Sequence, residues 1–143
     1  MDIVQKLTEA GFPGAQLVGS RITCNPAPVG TDQDVLLLVP TTKFDEVYVW
    51  ATGIGFKLDG SEIEDYLQIA PTDTFQSLSD GEYNIIVTED EGFFRKFMAA
   101  TGVAKKLNLL DKADRVLLFQ AVLYANGPEP IEVPRVADDL DFL

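Results

Sequence analysis

Histidine is absent from all 143 residues, and cysteine occurs once, at Cys24. The first absence excludes Ser-His triads, histidine metal sites and histidine general bases. The second excludes an internal disulfide. Catalysis, if there is any, must come from carboxylates, a metal ion and backbone groups. No apolar stretch approaches the roughly 20 residues that a membrane helix needs, and residues 1–10, MDIVQKLTEA, lack the basic start and apolar run of a secretory signal. The expectation is a protein of the reducing cytoplasm with no membrane partner. Basic residues are also scarce, with 11 Lys and Arg against 23 Asp and Glu for a formal net charge of −12. That balance weighs against broad nucleic-acid binding, which draws its affinity from counterions released by Lys and Arg. The basic residues are unevenly placed, however. Arg95, Lys96, Lys105, Lys106, Lys112 and Arg115 are interrupted only by Asp111 and Asp114 among the acids. The span reads as a solvated helix face or as a contact for a triphosphate or a polyanion.

What is present is an ordinary globular composition, 46% hydrophobic and 24% charged, in a chain of the size of one domain with a real core. We expect that domain over residues 1–126, with 127–143 as a Pro-rich acidic arm or tail. Strands are expected at 15–18, 32–39, 75–78 and 83–88, the last two joined by a hairpin turn at Ser79-Asp80-Gly81. Asp2 and Gln5 suit a capping box for a short first helix that Gly11 stops. Thr42 suits the cap of a helix whose Phe44, Val47, Tyr48 and Ala51 share a face, which makes Tyr48 and Trp50 core or rim residues. Residues 53–73 are left open: Phe56 and Leu58 alternate before Asp59-Gly60, and SEIEDYLQIA at 61–70 suits either a strand or a helical turn. Asp90 opens a helix with Phe93, Phe94, Phe97 and Met98 as core. A last helix runs from about Asp111 to Tyr124, carries Val116, Leu117, Phe119, Gln120 and Leu123, and is closed by Asn126-Gly127. The fold class is therefore α/β or α+β, a small mixed sheet packed with helices.

The chemistry is concentrated in residues 18–39, VGSRITCNPAPVGTDQDVLLLV. Val35 to Val39 is a short apolar run closed by Pro40 and reads as a buried strand. Asp32 and Asp34 stand at its mouth. Strand residues two apart share a face and lie about 6.6 Å apart at roughly 3.3 Å per residue, so both carboxylates reach one site. A divalent cation relieves their repulsion, and oxygen ligands without His or Cys favour Mg²⁺ or Mn²⁺ over zinc. Gly19-Ser20 ends a preceding strand, and such a corner offers backbone N–H groups and a hydroxyl to phosphate oxygens. It is no P-loop, since the Gly-Lys-Ser/Thr ending is missing. The loop from Arg21 to Thr31, with Pro26, Pro28 and Gly30, is read as irregular, and Arg21 is its one candidate for a phosphate.

Gly19-Ser20 followed by Asp32-Gln33-Asp34 and a strand resembles the signature of the DNA polymerase β-type nucleotidyltransferase superfamily. Residues 84–124, NIIVTEDEGFFRKFMAATGVAKKLNLLDKADRVLLFQAVLY, resemble the second half of small nucleotidyltransferase-like proteins of tailed bacteriophages. The resemblance implies the small nucleotidyltransferase fold and a metal-dependent transfer of a nucleoside monophosphate from a nucleoside triphosphate to a hydroxyl, on a protein or an RNA. It places Mg²⁺ or Mn²⁺ on Asp32 and Asp34, and the phosphates on Gly19 and Ser20, with Arg21 and Lys105 as further contacts. The superfamily supplies a third carboxylate from a later strand, and that place here holds Asn84. Glu82, two residues earlier, is either a substitute for it or a solvated residue of the hairpin turn. Two other readings stand beside the enzyme. One is an acidic phage protein with a degenerate site that engages a host protein, by imitating the charge of DNA. The other is a nucleotide sensor without turnover.

Overall fold

Alternation within the apolar run of residues 35–39 decides the architecture. In the computed structural model, which describes residues 2–58 and 75–123, Val35, Leu37 and Val39 are buried in one core and Leu36 in another. Successive side chains of a strand point to opposite faces, so a run that is apolar at every position requires cover on both. The elements that supply it follow in the order α1 (Ile3–Glu9), β1 (Gln16–Val18), α2 (Ser20–Thr23), β2 (Gln33–Leu38), a 3₁₀ turn (Thr41–Lys43), α3 (Phe44–Gly53), β3 (Lys57–Leu58), β4 (Gln76–Ser79), β5 (Tyr83–Thr88), α4 (Glu91–Leu107) and α5 (Lys112–Leu123). The five strands lie in the order β1-β2-β5-β4-β3. β2 and β5 are parallel, and the other three pairings are antiparallel. The fold is α+β with a mixed sheet, as the sequence pattern predicts.

One face of the sheet, with Val35, Leu37, Leu78, Ile85 and Val87, packs on Ile3 and Leu7 of α1 and Val47 and Ala51 of α3. The other, with Val18, Leu36 and Ile86, packs on Phe93, Phe97, Ala100 and Ala104 of α4 and Phe119 and Leu123 of α5. Phe97 and Phe119 meet edge to face at 4.9 Å, which fixes α5 against α4. Trp50 is half-buried and meets Phe12 edge to face at 6.0 Å, and Tyr48 is a rim residue. Trp50 therefore serves packing, while Tyr48 stands exposed at the edge of that face.

Local chemistry sets the boundaries. Asp2 and Gln5 form the reciprocal capping box of α1, and the Asp90 carboxylate accepts from the Phe93 N–H at 3.1 Å to start α4. Asn108, left-handed at φ 49°, ends that helix. In the β4–β5 turn Gly81 has φ 90°, and Asp80 Oδ1 accepts from the N–H groups of Glu82 at 2.9 Å and Tyr83 at 2.8 Å. The Arg115 guanidinium donates to the carbonyls of Leu109 at 2.9 Å and Leu110 at 2.8 Å and to Cys24 Sγ at 3.3 Å. It thus ties the α4–α5 connection to the end of α2.

Two expectations are corrected. Thr42 caps nothing: Pro40 leads into a 3₁₀ turn that runs straight into α3, so Thr42 lies inside the turn. Residues 21–23 are not irregular, because the prolines that forbid a helix begin only at 26 and the Gly19 carbonyl accepts from the N–H groups of Ile22 and Thr23, both at 3.0 Å. Leu117 is 65% exposed, since only Phe119 and Leu123 of α5 reach full burial. Of residues 53–73, Lys57 and Leu58 pair with β4 as a strand. The rest from 59, the expected helix end at Asn126-Gly127 and the arm over 127–143 lie outside the described residues. Among the described residues no helix is long and apolar enough to cross a membrane.

Candidate functional site

The last residue of β1, Val18, sits opposite Asp34 of β2. Immediately beyond it Gly19 adopts φ 83° and ψ −176°, a combination open in practice only to glycine. The chain swings there into the single turn of α2, leaving Gly19 buried and Ser20 half-buried. The turn needs glycine for a second reason. A Cβ on Gly19 would stand 2.8 Å from Asp34 Cγ, so the Asp34 side chain occupies the space that any other residue would fill. The glycine-serine corner and the second aspartate of the Asp-Gln-Asp stretch are therefore in direct apposition.

On the other side of β2 the parallel ladder sets Asn84 opposite Asp34. The Asn84 Nδ2 donates to Asp34 Oδ1 at 2.9 Å. Asn84 is only 9% exposed, and its Oδ1 is buried with no hydrogen-bond partner. Leaving such an oxygen unsatisfied costs about 1–3 kcal/mol. The amide donates toward the carboxylate because an ionised carboxylate only accepts, and the amide oxygen is left facing inward.

The remaining candidates are less tightly gathered. Asp32 is half-buried and lies one residue ahead of β2, not within it. Glu82 is exposed and precedes β5. Its backbone makes the connections there, donating N–H to Asp80 and accepting at the carbonyl from the Gln33 N–H at 3.0 Å. Arg21 is exposed on α2 and Lys105 is exposed in the last turn of α4. That turn comes to the same end of the sheet as α2, since the Asn108 side chain accepts from the Asn25 N–H at 2.8 Å and donates to its carbonyl at 3.0 Å. Of the positive span, Arg95 is paired with Glu91, and Arg115 is committed to Cys24 and the carbonyls of Leu109 and Leu110. Among the described residues there is no group of three His, Cys, Asp or Glu that would hold a metal unaided.

Elsewhere, a concavity of about 410 Å³ opens between α1, α3 and the β4–β5 turn, with Ile3, Lys6, Trp50, Phe56, Asp80 and Tyr83 on its walls. Tyr83 and Asn84 are adjacent in β5 and so point to opposite faces. The cavity and the Asp34–Asn84 pair are separate features.

Sequence reasoning overlooked Gln33, read only as the spacer between two aspartates. Its Nε2 donates to the carbonyls of Val18 at 3.1 Å and of Asp34 at 2.9 Å. No periodicity or composition signal marks it. In comparison with known proteins, the chain matches no family model, no curated relative and no solved structure.

Proposed function

We propose that this protein is a nucleotidyltransferase that moves a nucleoside monophosphate from a triphosphate to a hydroxyl acceptor. One observation carries the reading: the Gly19-Ser20 corner and Asp34 are in contact, with no room for a Cβ between them. In this reading Gly19 and Ser20 offer backbone N–H groups and a hydroxyl to the phosphates, with Arg21 and Lys105 within the same end of the fold. Asp32 and Asp34 would hold Mg²⁺ or Mn²⁺. Two carboxylates without a third fit an ion that completes its shell from substrate phosphates, which is the usual Mg²⁺ arrangement. When bound, the ion supplies charge neutralisation of the triphosphate. The acceptor oxygen forms a bond to the α-phosphorus as the α–β P–O bond breaks and pyrophosphate leaves. The hydroxyl proton passes to Glu82 or to solvent, because Asn84 cannot accept it. A host protein is the favoured acceptor over RNA, since a charge of −12 opposes a polyanion.

A second reading, binding of a nucleotide or a host protein without turnover, is favoured by Asn84. A neutral amide in the place of a third carboxylate leaves the site without a built-in proton acceptor. The two readings separate in one experiment. The protein is incubated with Mn²⁺ and α-³²P-labelled nucleotides in host lysate, and in parallel Mn²⁺–nucleotide binding is measured by calorimetry for wild type and Asp34→Ala. Label transfer that Asp34→Ala abolishes supports the enzyme. Binding without transfer supports the binder, and equal heats for both proteins overturn the site.

A further inference from the structure

We propose that Gln33, the residue between the two aspartates, is a positioning residue that holds the Gly19 corner against Asp34. The functional half of this inference rests on the reading of corner and aspartate as one site. The structural half does not.

β1 is an edge strand of three residues, Gln16–Val18, and its last rung pairs Val18 with Asp34. Short edge strands open easily, because few ladder bonds hold them. The corner begins at the next residue. Whatever happens to Val18 is passed to Gly19, whose carbonyl accepts from the Ile22 and Thr23 N–H groups and so starts α2. Gln33 closes that rung. One N–H of its side-chain amide meets the Val18 carbonyl and the other the Asp34 carbonyl, which uses both protons that a primary amide has. Its backbone N–H meets the carbonyl of Glu82, just before the strand that carries Asn84. A single residue therefore joins β1, β2 and the start of β5 at the level where Gly19, Asp34 and Asn84 converge. No other residue type of that length offers two donors on one planar group without charge.

The test compares Gln33→Met, which keeps length and loses both donors, with Gln33→Lys, whose ammonium donates to the same two carbonyls, and with Gln16→Met as a control on the neighbouring edge strand β1. In the full chain without ligand, amide hydrogen exchange is read at Ile22 and Thr23 and, for reference, at Leu36 and Ile86. Calorimetry then gives the affinity for Mn²⁺ with a non-hydrolysable ATP analogue, and urea unfolding gives stability. The expected result for Gln33→Met is exchange about tenfold faster at Ile22 and Thr23 alone, and affinity about tenfold weaker, a 1.4 kcal/mol effect. Gln33→Lys restores most of the exchange protection, while its added charge between Asp32 and Asp34 opposes Mn²⁺, and Gln16→Met changes neither exchange nor affinity. Exchange at Ile22 and Thr23 equal to wild type, or raised uniformly through the sheet, overturns the proposal. So does a loss of affinity that merely follows global stability. If wild type binds no Mn²⁺–nucleotide, the functional reading falls and the exchange data alone decide the clamp. Should Gln33→Met not fold, Gln33→Asn, the same amide one methylene shorter, takes its place with the same criteria.

Discussion

Two rungs of the β2–β5 ladder, one residue apart, are built on opposite rules. Val35 and Ile85 pair across it with both side chains fully buried in the core under α1 and α3. Asp34 and Asn84 pair one step earlier on the face toward α4, where the next rung, Leu36 and Ile86, is again aliphatic. The backbone is the same, and an aliphatic pair would leave no orphaned amide oxygen. The polar rung is therefore a cost the core does not require, and the space that the missing Cβ of Gly19 leaves is filled by the Asp34 side chain. The comparison makes its strongest statement about stability. Leu37→Ala and Ile85→Ala should each lose about 2–5 kcal/mol in urea unfolding. Asn84→Val should lose far less than Ile85→Ala, and an equal loss would show that the polar rung is simply part of the core.

The next largest effect should come from Gly19→Ala. The backbone conformation alone costs a residue with a Cβ about 1–3 kcal/mol, and the new methyl collides with Asp34. A double-mutant cycle with Asp34→Ala separates the two contributions. The collision with the carboxyl group vanishes in the Asp34→Ala background, while the backbone part and the 2.9 Å approach to the Cβ of residue 34 stay. A Gly19→Ala penalty identical in both backgrounds would mean that the corner and the aspartate are not coupled.

Asn84→Asp sharpens the comparison by making the rung doubly acidic. Two carboxylates at the present 2.9 Å contact cannot both ionise freely. One of them would have a folded-state pKa above its unfolded value of about 3.9. The variant's deficit should thus be absent below about pH 4 and grow as the pH rises through the raised value, reaching about 1–2 kcal/mol near neutrality. Mn²⁺ should recover that loss. A deficit that does not change with pH, or that Mn²⁺ leaves untouched, would separate the rung from cation binding.

The centre of this sheet was legible because β2 and β5 contain contiguous apolar runs and the turn at Ser79-Asp80-Gly81 joins β4 to β5, and a period of two leaves little freedom once both faces are covered. The helices capped by Asp2 and Asp90, the second with an aromatic stripe, were legible for similar local reasons. The misses share a physical cause. α2 exists because one carbonyl, on a glycine of unusual φ, accepts two N–H groups, and four residues carry no periodicity. Thr42 looks like a cap, yet Pro40 had already set the chain into a 3₁₀ turn. In the site, the Gly19-Ser20 and Asp-Gln-Asp stretches were visible as residue types. The contact between Gly19 and Asp34 is a matter of register between strands, and the double hydrogen bond of Gln33 depends on that register. Arg115 was counted with the exposed cations because a sequence does not show that Cys24 and two carbonyls surround it.

The smallest expected effect belongs to Glu82→Gln, and it bears on the choice between enzyme and binder. Glu82 is exposed, and its backbone N–H and carbonyl make its connections to Asp80 and Gln33. The substitution preserves both, so stability should change by no more than about 0.5 kcal/mol. Its near-silence in folding is what makes the functional measurement clean. A carboxylate that takes the proton of an acceptor hydroxyl contributes typically 10²–10⁴-fold to a transfer rate, whereas a solvated turn residue contributes nothing. Label transfer that falls by about a hundredfold or more in Glu82→Gln, with Mn²⁺–nucleotide affinity unchanged, would assign it the role that Asn84 cannot fill. Transfer at the wild-type rate would return Glu82 to the turn. If wild type transfers nothing while Asn84→Asp does, the polar rung is a binding device and the missing carboxylate is the reason.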